Sequence, residues 1–128
     1  HGIFRDIPWR YQDSQGNDVT VPIEVESVTN DTLQPIPFDV SEEGDAVRLK
    51  IGDPKVTVTG AQTYLITYTA QAAVNFLTDH DELYWNVTGD QWEVPVTNVS
   101  ASVRLPSGDQ VHAKDLQATC YTGPLGSR

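Results

Sequence analysis

Tyr64-Leu65-Ile66-Thr67-Tyr68-Thr69-Ala70-Gln71-Ala72-Ala73-Val74-Asn75-Phe76 decides the fold class. Tyr64, Ile66, Tyr68, Ala70, Ala72, Val74 and Phe76 share one parity. Thr63, Thr67, Thr69, Gln71 and Asn75 share the other, and only Leu65 interrupts that polar face. A period of two sends one set of side chains to a buried face and the other to water. The stretch therefore reads as a long central strand. Ala70 to Leu77 also has the composition of a short helix, because Ala, Gln and Leu favour one.

The same period extends outward in both directions. Val19, Val21, Ile23 and Val25 alternate with Thr20, Pro22, Glu24 and Glu26, and Pro22, lacking an N–H, places that strand at a sheet edge. Val47, Leu49 and Ile51 alternate with Arg48 and Lys50, and Ser41 to Asp45 reads as a solvated hairpin loop. Val56 to Thr59 makes a short strand after the turn-forming Gly52-Asp53-Pro54. Val99, Ala101, Val103 and Leu105 alternate before the turn at Pro106-Ser107-Gly108-Asp109, and Gln110–His112 with Leu116–Tyr121 can close a last pair. Short strands separated by Gly, Pro, Asn and Asp turns give an all-β, two-sheet, mainly antiparallel sandwich of immunoglobulin-like type.

At 128 residues the chain fits a single domain, 1–128, with no internal repeat or linker. Hydrophobic residues at 38% are too many for disorder, and no apolar run reaches the roughly 20 residues of a bilayer helix. A net charge of -10 repels phosphate backbones and anionic membrane surfaces, which excludes nucleic acid as the expected partner. The opening His1, with no Met, is that of a processed form or an excised domain.

Several segments together carry a family likeness. They are His1-Gly2-Ile3-Phe4-Arg5-Asp6-Ile7-Pro8 with Tyr11, Arg48-Leu49-Lys50-Ile51-Gly52-Asp53, Tyr64-Leu65-Ile66-Thr67-Tyr68, Asp81-Glu82-Leu83-Tyr84-Trp85-Asn86-Val87-Thr88-Gly89, Trp92-Glu93-Val94-Pro95-Val96 and Cys120-Tyr121-Thr122-Gly123. In this order they resemble DUF2207, a family of predicted bacterial and archaeal membrane proteins of unknown function. The Leu83–Gly89 segment is the most specific of them. The resemblance implies an extracytoplasmic β-domain, membrane-anchored in the full-length protein through flanking helices. Members usually carry one or more strands before the His-Gly motif, and a second cysteine often follows the first. The resemblance supplies no catalytic residue and no cofactor.

Four groups of residues are candidates for chemistry. Tyr84, Trp85 and Asn86, with Trp92 across a Gly89-Asp90 turn and Asp81 and Glu82 at the rim, could present an aromatic platform to a saccharide or peptide. The competing reading puts the indoles over the end of the core. Asp79-His80-Asp81-Glu82 is the densest set of metal-ligand side chains, but neighbours on an extended chain point to opposite faces, and the default is a solvated acidic loop. Asp13-Ser14-Gln15-Gly16-Asn17-Asp18 is a weaker calcium candidate and more naturally a hairpin turn. Cys120, the only cysteine, reads as a structural thiol or one with a partner elsewhere; activation by His1, His80 or His112 would need a base at about 3 Å.

Arg5 is expected to anchor the N-terminal segment by pairing with a carboxylate such as Asp53 or Glu82. Asn30, Asn86 and Asn98 stand in N-glycosylation sequons. The expectation is a non-enzymatic recognition, sensing or assembly module at the extracytoplasmic face of the cell membrane, without a cofactor. Its partner would be a protein or a cell-surface saccharide. The alternatives are a structural subunit that self-associates by strand exchange, and an extracellular hydrolase working through Asp79–Glu82.

Overall fold

The computed structural model describes residues 2–12, 16–89, 92–105 and 113–123. Their contacts fall into two units, 1–91 and 92–128. Among the described residues the first holds nine strands: β1 (Ile3–Pro8), β2 (Arg10–Gln12), β3 (Asp18–Thr20), β4 (Ile23–Thr29), β5 (Phe38–Glu43), β6 (Ala46–Ile51), β7 (Leu65–Ala70), β8 (Val74–Phe76) and β9 (Asp81–Leu83). All pairings are antiparallel: a three-stranded sheet β1-β6-β5, and the pairs β2-β3, β4-β7 and β8-β9. No described residue lies in an α-helix. The all-β, antiparallel expectation therefore holds.

The core lies where β1 and β6 meet β4 and β7. Ile7, Val28, Val47, Leu49 and Ile51 are buried together, with Val25, Ile66, Tyr68 and Trp85 packed against them. Each such aliphatic side chain contributes on the order of 1.5–3 kcal/mol. The β6 alternation expected from sequence is reproduced, since Val47, Leu49 and Ile51 are buried between the less buried Arg48 and Lys50. The register puts Ile3, Arg5 and Ile7 of β1 beside Ile51, Leu49 and Val47. Phe4 and Asp6 thus share the other face with Lys50 and Arg48. In β4 the register shifts between Val25 and Ser27, so Glu26 is an extra residue that lets Val25 and Val28, of opposite parity, both turn inward.

Five strand expectations are corrected. The long strand over Tyr64–Phe76 ends at Ala70; Gln71–Ala73 turn, with Ala72 at φ 54°, and β8 begins at Val74. This excludes the short helix as well, and it reverses the parity, leaving Val74 and Phe76 exposed. Val19 to Glu26 is not one edge strand but two strands broken at Val21-Pro22, where the Val21 N–H donates to Trp9 O and Pro22 O accepts from the Gln71 N–H. Val56–Thr59 is not a strand: the Val56 N–H donates to Asp53 O, closing a turn, and Val56 and Val58 remain half exposed.

The described residues of the second unit contain no strand at Val99–Leu105 or Leu116–Tyr121, only a 3-10 turn at Ala113–Asp115, and residues 92–105 and 114–123 are exposed. An alternating pattern forms a strand only with a ladder partner and a face to bury, and neither is present among these residues. The expected turn at 106–109 and the 110–112 half of the last pair lie outside the described residues. The Ser41–Asp45 loop is tighter than expected: β5 runs to Glu43, and Gly44-Asp45 alone make the turn, with Gly44 at φ 60°.

Candidate functional site

The β8-β9 hairpin carries Asp79, His80, Asp81 and Glu82. Val74 pairs with Leu83, Asn75 with Glu82 and Phe76 with Asp81. Because paired residues share a face, Val74, Phe76, Asp81 and Leu83 lie on one side, and Asn75 and Glu82 on the other. The Tyr11 hydroxyl donates to Asn75 Oδ1 at 3.3 Å, so the Asn75 side is the one tied to the body of the fold. The opposite side is open: Phe76 is 80% exposed, with Val74 and Leu83 exposed beside it.

Asp79 and His80 form the connecting turn, and Asp79 Oδ1 lies 2.8 Å from His80 Nδ1. The hydrogen bond from His80, more than any other influence, holds the Asp79 carboxyl below its usual range. Asp81 and Glu82 project from opposite faces of β9, as neighbours on a strand must. Among the described residues no three His, Cys, Asp or Glu side chains converge as metal ligands.

The members of the aromatic platform are distributed differently from the expected hairpin around Gly89-Asp90. Tyr84 is exposed. Trp85 turns inward, donating from Nε1 to the Tyr68 hydroxyl at 3.1 Å, with the two rings stacked at 6.2 Å. Asn86 Oδ1 accepts from the Gly89 N–H at 2.7 Å and closes a local turn. Trp92 belongs to the second unit, and Asp90 and Gln91 lie outside the described residues.

Arg5 anchors its segment, but onto main chain: Nη1 donates to Thr88 O at 2.6 Å and to Asp6 O at 2.8 Å, and Nη2 to Val87 O at 3.2 Å. Arg48 makes a bidentate pair with Asp6, its Nε and Nη2 donating to the two carboxylate oxygens at 2.8 and 2.7 Å. That bidentate bond, against a smaller opposing effect of burial, holds the Asp6 carboxyl below the usual range. Arg10 stacks over Trp9 at 4.2 Å.

Cys120 is a free, exposed thiol in the second unit. His1, His112 and Asp13, Ser14 and Gln15 of the calcium candidate lie outside the described residues. Two sequon asparagines are engaged locally, Asn86 as above and Asn30 through Oδ1 bonds from Thr32 and from the Gln34 N–H.

Sequence reasoning missed a cleft of about 410 Å³ in the first unit, between the Asn30–Pro37 turn and the connection from Gly52 to Tyr64. The only signal for it was the density of turn residues in Asn30-Asp31-Thr32-Leu33-Gln34-Pro35-Ile36-Pro37, a loop tied back to the strands through the Ile36 N–H to Val28 O and the Gly52 N–H to Pro37 O.

An all-β, antiparallel chain with an exposed apolar hairpin, and with no helix among its described residues long and apolar enough to cross a membrane, is the class these features define. The chain belongs to the DUF2207 family: the model of the predicted membrane protein (DUF2207) N-terminal domain matches residues 1–126, across both units. No curated protein and no solved structure matches it.

Proposed function

We propose that this chain is a non-enzymatic recognition or assembly module, held at the extracytoplasmic face of a prokaryotic cell membrane by the rest of its polypeptide. The observation that carries this is the open side of the β8-β9 hairpin. Phe76, Leu83 and Val74 face solvent on one side of a two-stranded ribbon whose other side is fixed to Tyr11. Contiguous exposed apolar side chains rimmed by charge mark contact surfaces rather than catalytic ones. The rim here is acidic, with Asp79 and Asp81, so the partner that fits is a protein surface with an apolar centre and basic margins. The immunoglobulin-like sandwich belongs to the same reading, supported by two sheets that share one core.

Self-association by strand exchange is the weaker reading. β5 lies at the side of its sheet, but it carries Asp39, Glu42 and Glu43, and a second copy pairing there would set like charges against each other.

The test is the double variant Phe76→Ser/Leu83→Ser in the full-length protein. The reading expects the melting temperature of the 128-residue chain to stay within about 5 °C, since two exposed positions together change stability by about 1 kcal/mol or less. It also expects the protein's chemical cross-links in native membranes to disappear. A large loss of stability, or cross-links that persist unchanged, would overturn it.

A further inference from the structure

The cleft of the first unit is independent of the hairpin and suits a different ligand. Its volume of about 410 Å³ lies in the range of small-molecule and side-chain pockets. The walls are apolar where Pro35, Ile36, Pro37, Val56 and Val58 contribute, and Gln62 and Tyr64 add hydrogen-bonding groups. Among the described residues its charged lining groups are Asp31 and Asp53, both acidic. Asp53 is half-buried, with Oδ1 accepting from the Lys55 N–H at 2.8 Å, which fixes the carboxylate against its own turn. A site of this composition repels anions and accepts an alkyl chain ending in a positive charge.

We propose that this cleft binds a primary ammonium or guanidinium group carried on an aliphatic stem. Two sources share that chemistry: a free alkylamine, and the lysine or arginine side chain of an extended peptide. The stem lies along Val56, Val58 and the prolines, while the cationic head is neutralised by Asp31 and Asp53. Part of the binding is electrostatic and weakens with added salt.

The experiment is an amide-resonance titration of the 128-residue chain with hexylamine, with the capped tripeptide Val-Lys-Val and with hexanoate. The proposal expects both cationic probes to shift the Asp31, Asp53, Val58 and Gln62 amides saturably, and hexanoate to leave them unmoved. Tighter binding of the tripeptide by tenfold or more identifies a polypeptide ligand, and equal or tighter binding of hexylamine a free amine. Asp31→Asn/Asp53→Asn, which keeps an acceptor oxygen for the Lys55 N–H, should weaken binding at least tenfold. Glu24→Gln/Glu42→Gln changes net charge equally away from the cleft and should alter affinity less than twofold. The proposal is overturned if neither cation saturates, if hexanoate binds as well, or if the two double variants weaken binding alike.

Discussion

Gly89 and Arg5 show how single residues fasten the N-terminal strand to the segment that follows β9. Gly89 sits at φ 80°, and a Cβ there would overlap the Arg5 guanidinium that holds the Val87 and Thr88 carbonyls. Gly89→Ala therefore meets both backbone strain and a steric conflict. It should cost about 1–3 kcal/mol, read as a lower urea midpoint with an unchanged m-value. Asp6 makes a different kind of prediction. Its carboxyl is held low by Arg48, so the pair's contribution is complete above the range where an unfolded aspartate titrates, and is lost as pH falls through the lowered folded value. Asp6→Asn should lower the melting temperature at neutral pH by a few degrees. It should also flatten the acid side of the curve, so that the two proteins converge towards pH 2–3. Parallel curves would show that the pair does not set the acid response.

At the scale of elements, β6 was readable and β7-β8 was not, for one physical reason. Val47, Leu49 and Ile51 alternate inside a strand flanked on both sides, so local pattern and tertiary burial agree. Through Ala70 to Phe76 the residues alternate just as regularly, but no glycine or proline announces the turn at Ala72. Parity tells which residues share a side only while the chain stays extended; one residue in the left-handed region exchanges the sides. The bulge at Glu26 made the same kind of shift in β4, which is why Val25 and Val28 both reach the core. Ala72 can be tested directly. Ala72→Val should cost about 1–2 kcal/mol, because a β-branched residue tolerates positive φ poorly, whereas Ala72→Gly should be close to neutral. In an uninterrupted strand the order would be reversed, with Val favoured and Gly costing about 0.5–1 kcal/mol. Chemical denaturation of the two variants decides between them.

For the molecule as a whole, composition and family likeness reached further than periodicity did. The net charge of -10 and the ordered DUF2207 segments were legible along the chain, and the family match spans both units. Of the residues singled out in the sequence, Asp81 lies on the open face of β9, Glu82 on the other face and Tyr84 just beyond the strand, while Trp85 is committed to Tyr68. Phe76 escaped sequence reasoning because its exposure depends on the turn at Ala72, and the cleft escaped because its walls are 15 or more residues apart in the chain. The claim that the open hairpin face is where this module meets its partner is tested most directly by photo-cross-linking. A benzoylphenylalanine is placed at position 76 or at position 24, on β4, in the full-length protein in its native membrane. The account predicts one discrete adduct from position 76 that is lost with Leu83→Ser and weakened by Asp81→Asn, and none from position 24. Equal labelling from both positions, or no adduct from position 76, would contradict it.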